Sequence, residues 1–190
     1  MYKVPSGISN KHLHLCQADL EILFGKGYEL TCKKKLKQPG QFACEETVDL
    51  IGPKNTLKRV RILGPTRKET QVELAFTDAR VLGISVPVRE SGKLEGTPGG
   101  LTLVGPNGSV ELDHGVIAAQ RHVHLSEEEA AEAGVVDKQI IRVKVEGERA
   151  VIFDNVLVRA GKSHAAEFHV DTDEGNAAGI GNDVLCELLP

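Results

Sequence analysis

Four of the seven histidines fall in two His-x-His pairs, His12 with His14 and His122 with His124. Residues two apart on a strand point to the same face, so each pair presents two imidazoles side by side as a metal clamp. Leu13 and Val123 then point the other way, into packing. A single pair of this kind is weak evidence, because surface strands carry such pairs by chance. Here the pairs sit in a repeated frame. Gly7-Ile-Ser-Asn-Lys-His-Leu-His-Leu15 resembles Val116-Ile-Ala-Ala-Gln-Arg-His-Val-His-Leu125, and each copy runs on into a short helical segment ending in glycine. Downstream, Glu73 precedes Gly83-Ile84 by ten residues and His169 precedes Gly179-Ile180 by the same ten. Each copy therefore offers a third ligand at a matched place. Two histidines with a carboxylate, or three histidines, leave zinc an open fourth position for substrate, whereas structural sites are closed and usually rich in cysteine. Zinc is the first choice, with iron, cobalt or manganese as alternatives.

Several neighbouring residues have two readings. Glu69 is an alternative to Glu73. Asp171, Asp173 and Glu174 either orient imidazoles as hydrogen-bond acceptors or form a solvated acidic face. His114 and His164 have no matched partner and read as ordinary surface histidines. Cys16 continues the alternation of His12 and His14, but its counterpart Ser126 caps a helix, so a cap position is expected for Cys16. Arg67, just after Gly64-Pro-Thr, can grip a phosphate or carboxylate with a planar two-pronged guanidinium, or can be a solvated loop arginine. The run Lys33, Lys34, Lys35 with Lys37 is either a solvated patch or a contact for the phosphates of a nucleotide-bearing cofactor.

The elements that must position these groups are mostly short strands punctuated by glycine and proline. Leu101-Thr-Leu-Val104 and Ser109-Val-Glu-Leu112 flank Gly105-Pro-Asn-Gly108, a hairpin signature. Residues 140–145 and 150–153 form another strand–turn–strand, and 60–63 and 71–74 add two more strands. Ser126-Glu-Glu-Glu129 is a capping box opening a helix that stops at Gly134, and Gln17 to Phe24, ended by Gly25, is its early counterpart. The expected fold is mainly β: two small β-barrels related by internal duplication and capped by short α-helices, with lobes over 1–112 and 113–190 and room for strands exchanged between them.

The net charge of −4 excludes a broad basic field for nucleic acid, and the lack of tryptophan with the scarcity of other aromatics disfavours a stacking platform for single strands. No apolar run approaches the roughly 18 residues that span a membrane. Four cysteines without a Cys-x-x-Cys spacing argue against a thiolate metal cage or a disulfide scaffold, and fit a reducing compartment. A cytoplasmic small-molecule enzyme is expected.

Taken together, Ser9-Asn-Lys-His-Leu-His-Leu15, Gln38-Pro-Gly-Gln-Phe-Ala-Cys-Glu45, Leu63-Gly-Pro-Thr-Arg-Lys-Glu-Thr-Gln-Val-Glu73, Gln120-Arg-His-Val-His-Leu125 and Phe168-His-Val-Asp-Thr-Asp-Glu-Gly-Asn-Ala-Ala178 resemble the PduL-type phosphotransacylases (phosphate propanoyltransferases) of bacterial microcompartments and some anaerobes. The resemblance covers nearly the whole chain. It implies two helix-capped β-barrels with a two-metal site, and conversion of a short-chain acyl-CoA and phosphate to acyl phosphate and CoA. It implies His12, His14, Glu73, His122, His124 and His169 as ligands of two zinc ions and Arg67 as the phosphate contact. Ser9, Lys34, Arg61, Leu63 and Asn176 match the coenzyme A pocket, and a homodimer is the implied assembly. Microcompartment members often carry an N-terminal amphipathic extension. Here Tyr2-Lys-Val-Pro-Ser-Gly7 enters the first repeat directly, which fits the cytosol, or a microcompartment lumen if an extension was removed.

Two other classes share parts of the pattern. Cupin-like metal-dependent isomerases or oxygenases also place His-x-His on a barrel strand, but their glutamate usually follows within a few residues. A non-enzymatic zinc-binding module would have filled coordination spheres.

Overall fold

Fifteen strands and four short helices follow one another in the computed structural model, which describes residues 1–190. They divide between two units. One comprises residues 1–10, 37–39 and 120–190, and the other residues 11–36 and 40–119. Relative to the expected halves 1–112 and 113–190, the N-terminal decapeptide lies with the second half and 113–119 lie with the first. The strand that leads into each His-x-His motif is thus built into the unit that does not hold that motif.

The first unit is a closed six-stranded barrel. Its strands are β1 (Lys3–Ser9), β11 (His122–Leu125), β12 (Ile140–Val145), β13 (Val151–Ala160), β14 (Glu167–Asp171) and β15 (Leu185–Leu189), in the spatial order β1-β14-β11-β13-β12-β15. Closure leaves no unpaired edge. Val123, Val143, Val158 and Phe168 fill the interior, all with no exposed surface. Two helices belong to this unit. In α3 (Glu127–Ala133), the Ser126 hydroxyl accepts from the Glu129 N–H while Glu129 reaches back to the Ser126 N–H. In α4 (Thr172–Ala178), Asp171 and Glu174 do the same. Gly134 and Gly179 close both helices in the left-handed conformation that glycine adopts without a Cβ penalty.

The second unit is a curled nine-stranded sheet. It contains β2 (His12–His14), β3 (Cys32–Lys35), β4 (Phe42–Ile51), β5 (Thr56–Gly64), β6 (Gln71–Glu73), β7 (Val88–Arg89), β8 (Leu101–Val104), β9 (Ser109–Leu112) and β10 (Val116–Ala119). The order is β7-β10-β6-β2-β5-β4-β8-β9, with β3 beside β4. Helices α1 (Gln17–Phe24) and α2 (Phe76–Leu82) pack their leucines inward, and Leu13, Leu20, Ile62, Val72 and Leu103 form a fully buried core.

The mainly β expectation holds, and the hairpin β8–β9, β12 and α1 take the bounds read from the sequence. Strand β13 is longer than 150–153, and β5 longer than 60–63. Both cross a non-glycine residue with positive φ, Asn155 (φ 54) and Arg59 (φ 53), which precede His169 and Glu73 by the same interval. The duplication therefore extends into backbone conformation that composition does not reveal. No helix is long and apolar enough to cross a membrane.

Candidate metal and anion site

In the second unit, β2 runs antiparallel to β6, and His12 is the register partner of Glu73 while His14 is that of Gln71. The pleat puts all four side chains on one face. His12, His14 and Glu73 are all buried and each brings a ligand atom within 4.8 Å of the others. The His12 Nε2 lies 3.5 Å and the His14 Nε2 4.0 Å from the Glu73 carboxylate. The His14 Nδ1 is 3.1 Å from the Leu63 carbonyl oxygen. A carbonyl can only accept, so Nδ1 carries the proton and Nε2 turns a bare lone pair toward Glu73. Burial, with His12 and Arg67 nearby, lowers the His14 pKa to about 3, so this imidazole is neutral at physiological pH. Burial alone would raise the Glu73 carboxyl, but His12, by charge and hydrogen bond, and the Ser91 hydroxyl outweigh it and hold it well below the usual carboxylate range.

Glu73 is gripped from behind by two residues that the sequence did not single out. Its Oε1 accepts from Gln71 Nε2 at 2.6 Å and from the Ser91 hydroxyl at 2.9 Å. Ser91 also accepts from Arg67 Nη1 at 3.2 Å. Arg67 is fixed at its backbone too, since its N–H donates to the Leu15 carbonyl at 2.8 Å, one residue past His14. A chain of hydrogen bonds thus ties the guanidinium to the carboxylate. Glu69 lies outside this group and meets exposed His114 at 3.3 Å.

The barrel repeats the plan. Strand β11 is antiparallel to β14, with His122 opposite His169 and His124 opposite Glu167. His122, His124 and His169 bring their ligand atoms within 4.8 Å. The His122 Nδ1 lies 2.8 Å from the Gln120 carbonyl and so carries a proton, and its Nε2 is 3.1 Å from the His124 Nε2. Two zinc-bound nitrogens in tetrahedral geometry at roughly 2.0–2.1 Å from the ion stand about 3.3 Å apart, so the spacing suits a shared cation. Burial, then the neighbouring His122 and His169, lowers the His124 pKa strongly.

His164, expected to be an ordinary surface histidine, is instead 3.0 Å from the His124 Nδ1, its ring tilted over that imidazole. No repeat signal could have found it, because the equivalent service to His14 comes from a backbone carbonyl. The acidic pair Asp171 and Glu174 caps α4, and Glu174 also meets Arg121 at 2.7 Å. Neither orients an imidazole. Cys16 takes the expected cap position of α1 without a side-chain cap bond.

The matched coenzyme A positions fall into two groups. Ser9 is the register partner of Asp171, the cap of the helix that carries exposed Asn176. Lys34, Ala43 and Leu63 are successive register partners across β3, β4 and β5. Arg61 lies beside His12 in β5, with its Nη1 donating to the carbonyls of Cys44 and Glu45 at 2.9 Å each. Lys33 is exposed and pairs with Glu45.

A family model for phosphate propanoyltransferases matches residues 5–181. A protein of that name from Thermotoga maritima is 57% identical over 184 residues, covering 96% of this chain and 87% of the relative. Others of the same name come from Rhodopseudomonas palustris, 50% identical over 98% of the chain and 82% of the relative, and from Enterococcus faecalis, 51% identical over 90% and 81%.

Proposed function

The chain belongs to the phosphate propanoyltransferase family, and from that premise we propose that it moves an acetyl or propanoyl group from the sulfur of coenzyme A to inorganic phosphate, using two zinc ions, one held by His12, His14 and Glu73 and one by His122, His124 and His169. The observation that carries this reading is the hydrogen-bond chain from Arg67 through Ser91 to Glu73, which ties a guanidinium to the carboxylate beside His12 and His14.

The donor sets suit zinc. Each contains an imidazole whose Nδ1 is tied to a backbone carbonyl, His14 in one and His122 in the other, and one set adds a carboxylate held ionised. When bound, zinc supplies Lewis acidity for an oxygen anion or a carbonyl in the space left by three protein ligands.

Arg67 neutralises part of the charge of the incoming phosphate and orients it by paired N–H donors. Ser91 and the Leu15 carbonyl hold the arginine in place, so little ordering cost remains when phosphate arrives. In the transfer, a phosphate oxygen forms a bond to the thioester carbon and the carbon–sulfur bond breaks. The sulfur departs as the coenzyme A thiolate, which needs no strong general acid. Lys34, Arg61, Leu63, Ser9 and Asn176 are proposed to contact coenzyme A.

Two of the four thiols are poorly suited to a covalent acyl-cysteine. Burial pushes Cys44 up to about 12 and Cys186 up to about 11, and both side chains sit in the cores. Direct transfer between two bound substrates fits better. Thiol release from acetyl-CoA and propanoyl-CoA, measured with and without phosphate on native and metal-stripped protein, tests the reading. Release should require phosphate and metal; equal release with water as the only acceptor would instead mark a hydrolase.

A further inference from the structure

Glu167 stands on β14 two residues before His169, on the same face of the strand and directly opposite His124. Gln71 has the same place in the other unit, two residues before Glu73 and opposite His14. Both side chains hydrogen-bond the candidate ligand that follows them. Gln71 donates its amide to the Glu73 carboxylate at 2.6 Å, and Glu167 accepts from the His169 Nε2–H at 2.7 Å. The partner at this corner therefore complements the ligand: an amide donor behind a carboxylate, a carboxylate acceptor behind an imidazole.

We propose that Glu167 is a positioning residue that locks His169 as the Nε2–H tautomer, so that His169 offers Nδ1 to the metal while His122 offers Nε2. The inference rests on the metal reading given above. A carboxylate accepts and does not donate, so the short contact places a proton on the His169 Nε2, and a ring that binds a metal in that state has only Nδ1 to offer.

The surroundings fix Glu167 in that role. Its Oε2 also accepts from Gln38 Nε2 at 3.3 Å, and Gln38 is itself anchored by donating to the Ala165 carbonyl at 2.9 Å. Lys37 stands 4.0 Å from its Oε1. On the other side lies Gly7, where a Cβ would come within 2.9 Å of Glu167 Cδ, of Glu167 Oε1 and of His169 Cδ2. A side chain at Gly7 would therefore have to displace the Glu167–His169 pair.

Charge gives the arrangement a purpose. A divalent ion among three neutral imidazoles leaves two positive charges in a largely buried site. Glu167 supplies one negative charge through His169, as Glu73 does by direct contact in the other unit. An imidazole backed by a carboxylate is also a better donor, and removing such a partner typically weakens metal binding about 10–100-fold.

Cadmium-113 loaded into protein carrying nitrogen-15 histidine reads the tautomer directly. The prediction is scalar coupling from one cadmium to Nδ1 of His169 and to Nε2 of His122; coupling to Nε2 of His169 overturns it. Zinc titration against a chromogenic chelator supplies the second arm. The unsubstituted protein should bind two equivalents, and Glu167→Ala should weaken one of them about 10–100-fold while leaving the other unchanged. Two equivalents bound by Glu167→Ala as tightly as by the parent would remove Glu167 from the role while leaving the metal reading intact. A parent protein that binds no zinc would sink both. Should Glu167→Ala fail to fold, the isosteric Glu167→Gln and the cadmium spectrum of the unsubstituted protein still decide the matter.

Discussion

His12 lies directly across the β2–β6 ladder from Glu73, with its Nε2 3.5 Å from the carboxylate, although 60 residues lie between them in the sequence. The same ladder position joins His122 to His169 in the barrel. An antiparallel pair brings directly opposed side chains close on one face, so a His-x-His strand and its neighbour suffice to gather three ligands.

Arg67→Ala is expected to lower kcat/KM by roughly 10²–10³, the usual cost of removing a donor aimed at reacting charge, and to raise the KM for phosphate. Arg67→Lys should rescue little, because a point charge cannot grip two oxygens in one plane. Ser91→Ala should act in the same direction but more weakly, since it loosens Arg67 and Glu73 without removing either. Steady-state kinetics with phosphate varied would check this; an Arg67→Ala enzyme with unchanged phosphate dependence would speak against the assignment.

Leu13 and Leu125, which flank the histidines of the two motifs, have no exposed surface. Either leucine replaced by alanine should cost about 2–5 kcal/mol, through lost burial and the cavity left behind. Denaturant unfolding measures this, and a loss under about 1 kcal/mol would mean that these sites collapse around the gap.

Two histidines outside the proposed ligand sets should titrate in opposite directions in metal-free protein. Asp113 and Glu69 raise His114 against a smaller burial effect, so its contribution to stability is complete below the ordinary value and is lost as pH rises through its folded pKa. Burial, followed by Arg159, lowers His164, so stability is lost as pH falls from about 6.5 toward its folded pKa. Buried His14, lowered to about 3, adds to that acid loss by about 1.4 kcal/mol for each pH unit between the two values. Histidine NMR titration checks the order; His164 titrating above His114 would reverse it.

Replacing Cys16, Cys32, Cys44 and Cys186 together, with volume-conserving choices at buried Cys44 and Cys186, should leave turnover within a few-fold of the parent. A collapse of activity in a folded variant would reinstate a covalent acyl-cysteine.

The gathering of the six side chains into two sets was legible in the sequence because duplication marks the same positions twice. His169 could be paired with Glu73 by spacing alone, and register confirms that equivalence. What lay beyond reach came from contacts made once. His164 approaches His124 from the loop before β14, and Ser91 approaches Glu73 from the loop after β7, with no repeat to flag either. Asp171 and Glu174 read either as imidazole partners or as a solvated acidic face, because acidic residues near a histidine suit both. The backbone at the start of α4 claims them instead. The sequence left room for exchanged strands, but nothing in 3–9 or 116–119 marks which neighbour each will join.

The most direct measurement is the metal content of purified protein together with its ligand variants. Two equivalents of zinc per chain are expected, one lost in His12→Ala/His14→Ala and the other in His122→Ala/His124→Ala, each variant remaining folded by circular dichroism. A folded protein free of transition metal, or a variant pair that keeps both equivalents, would contradict it.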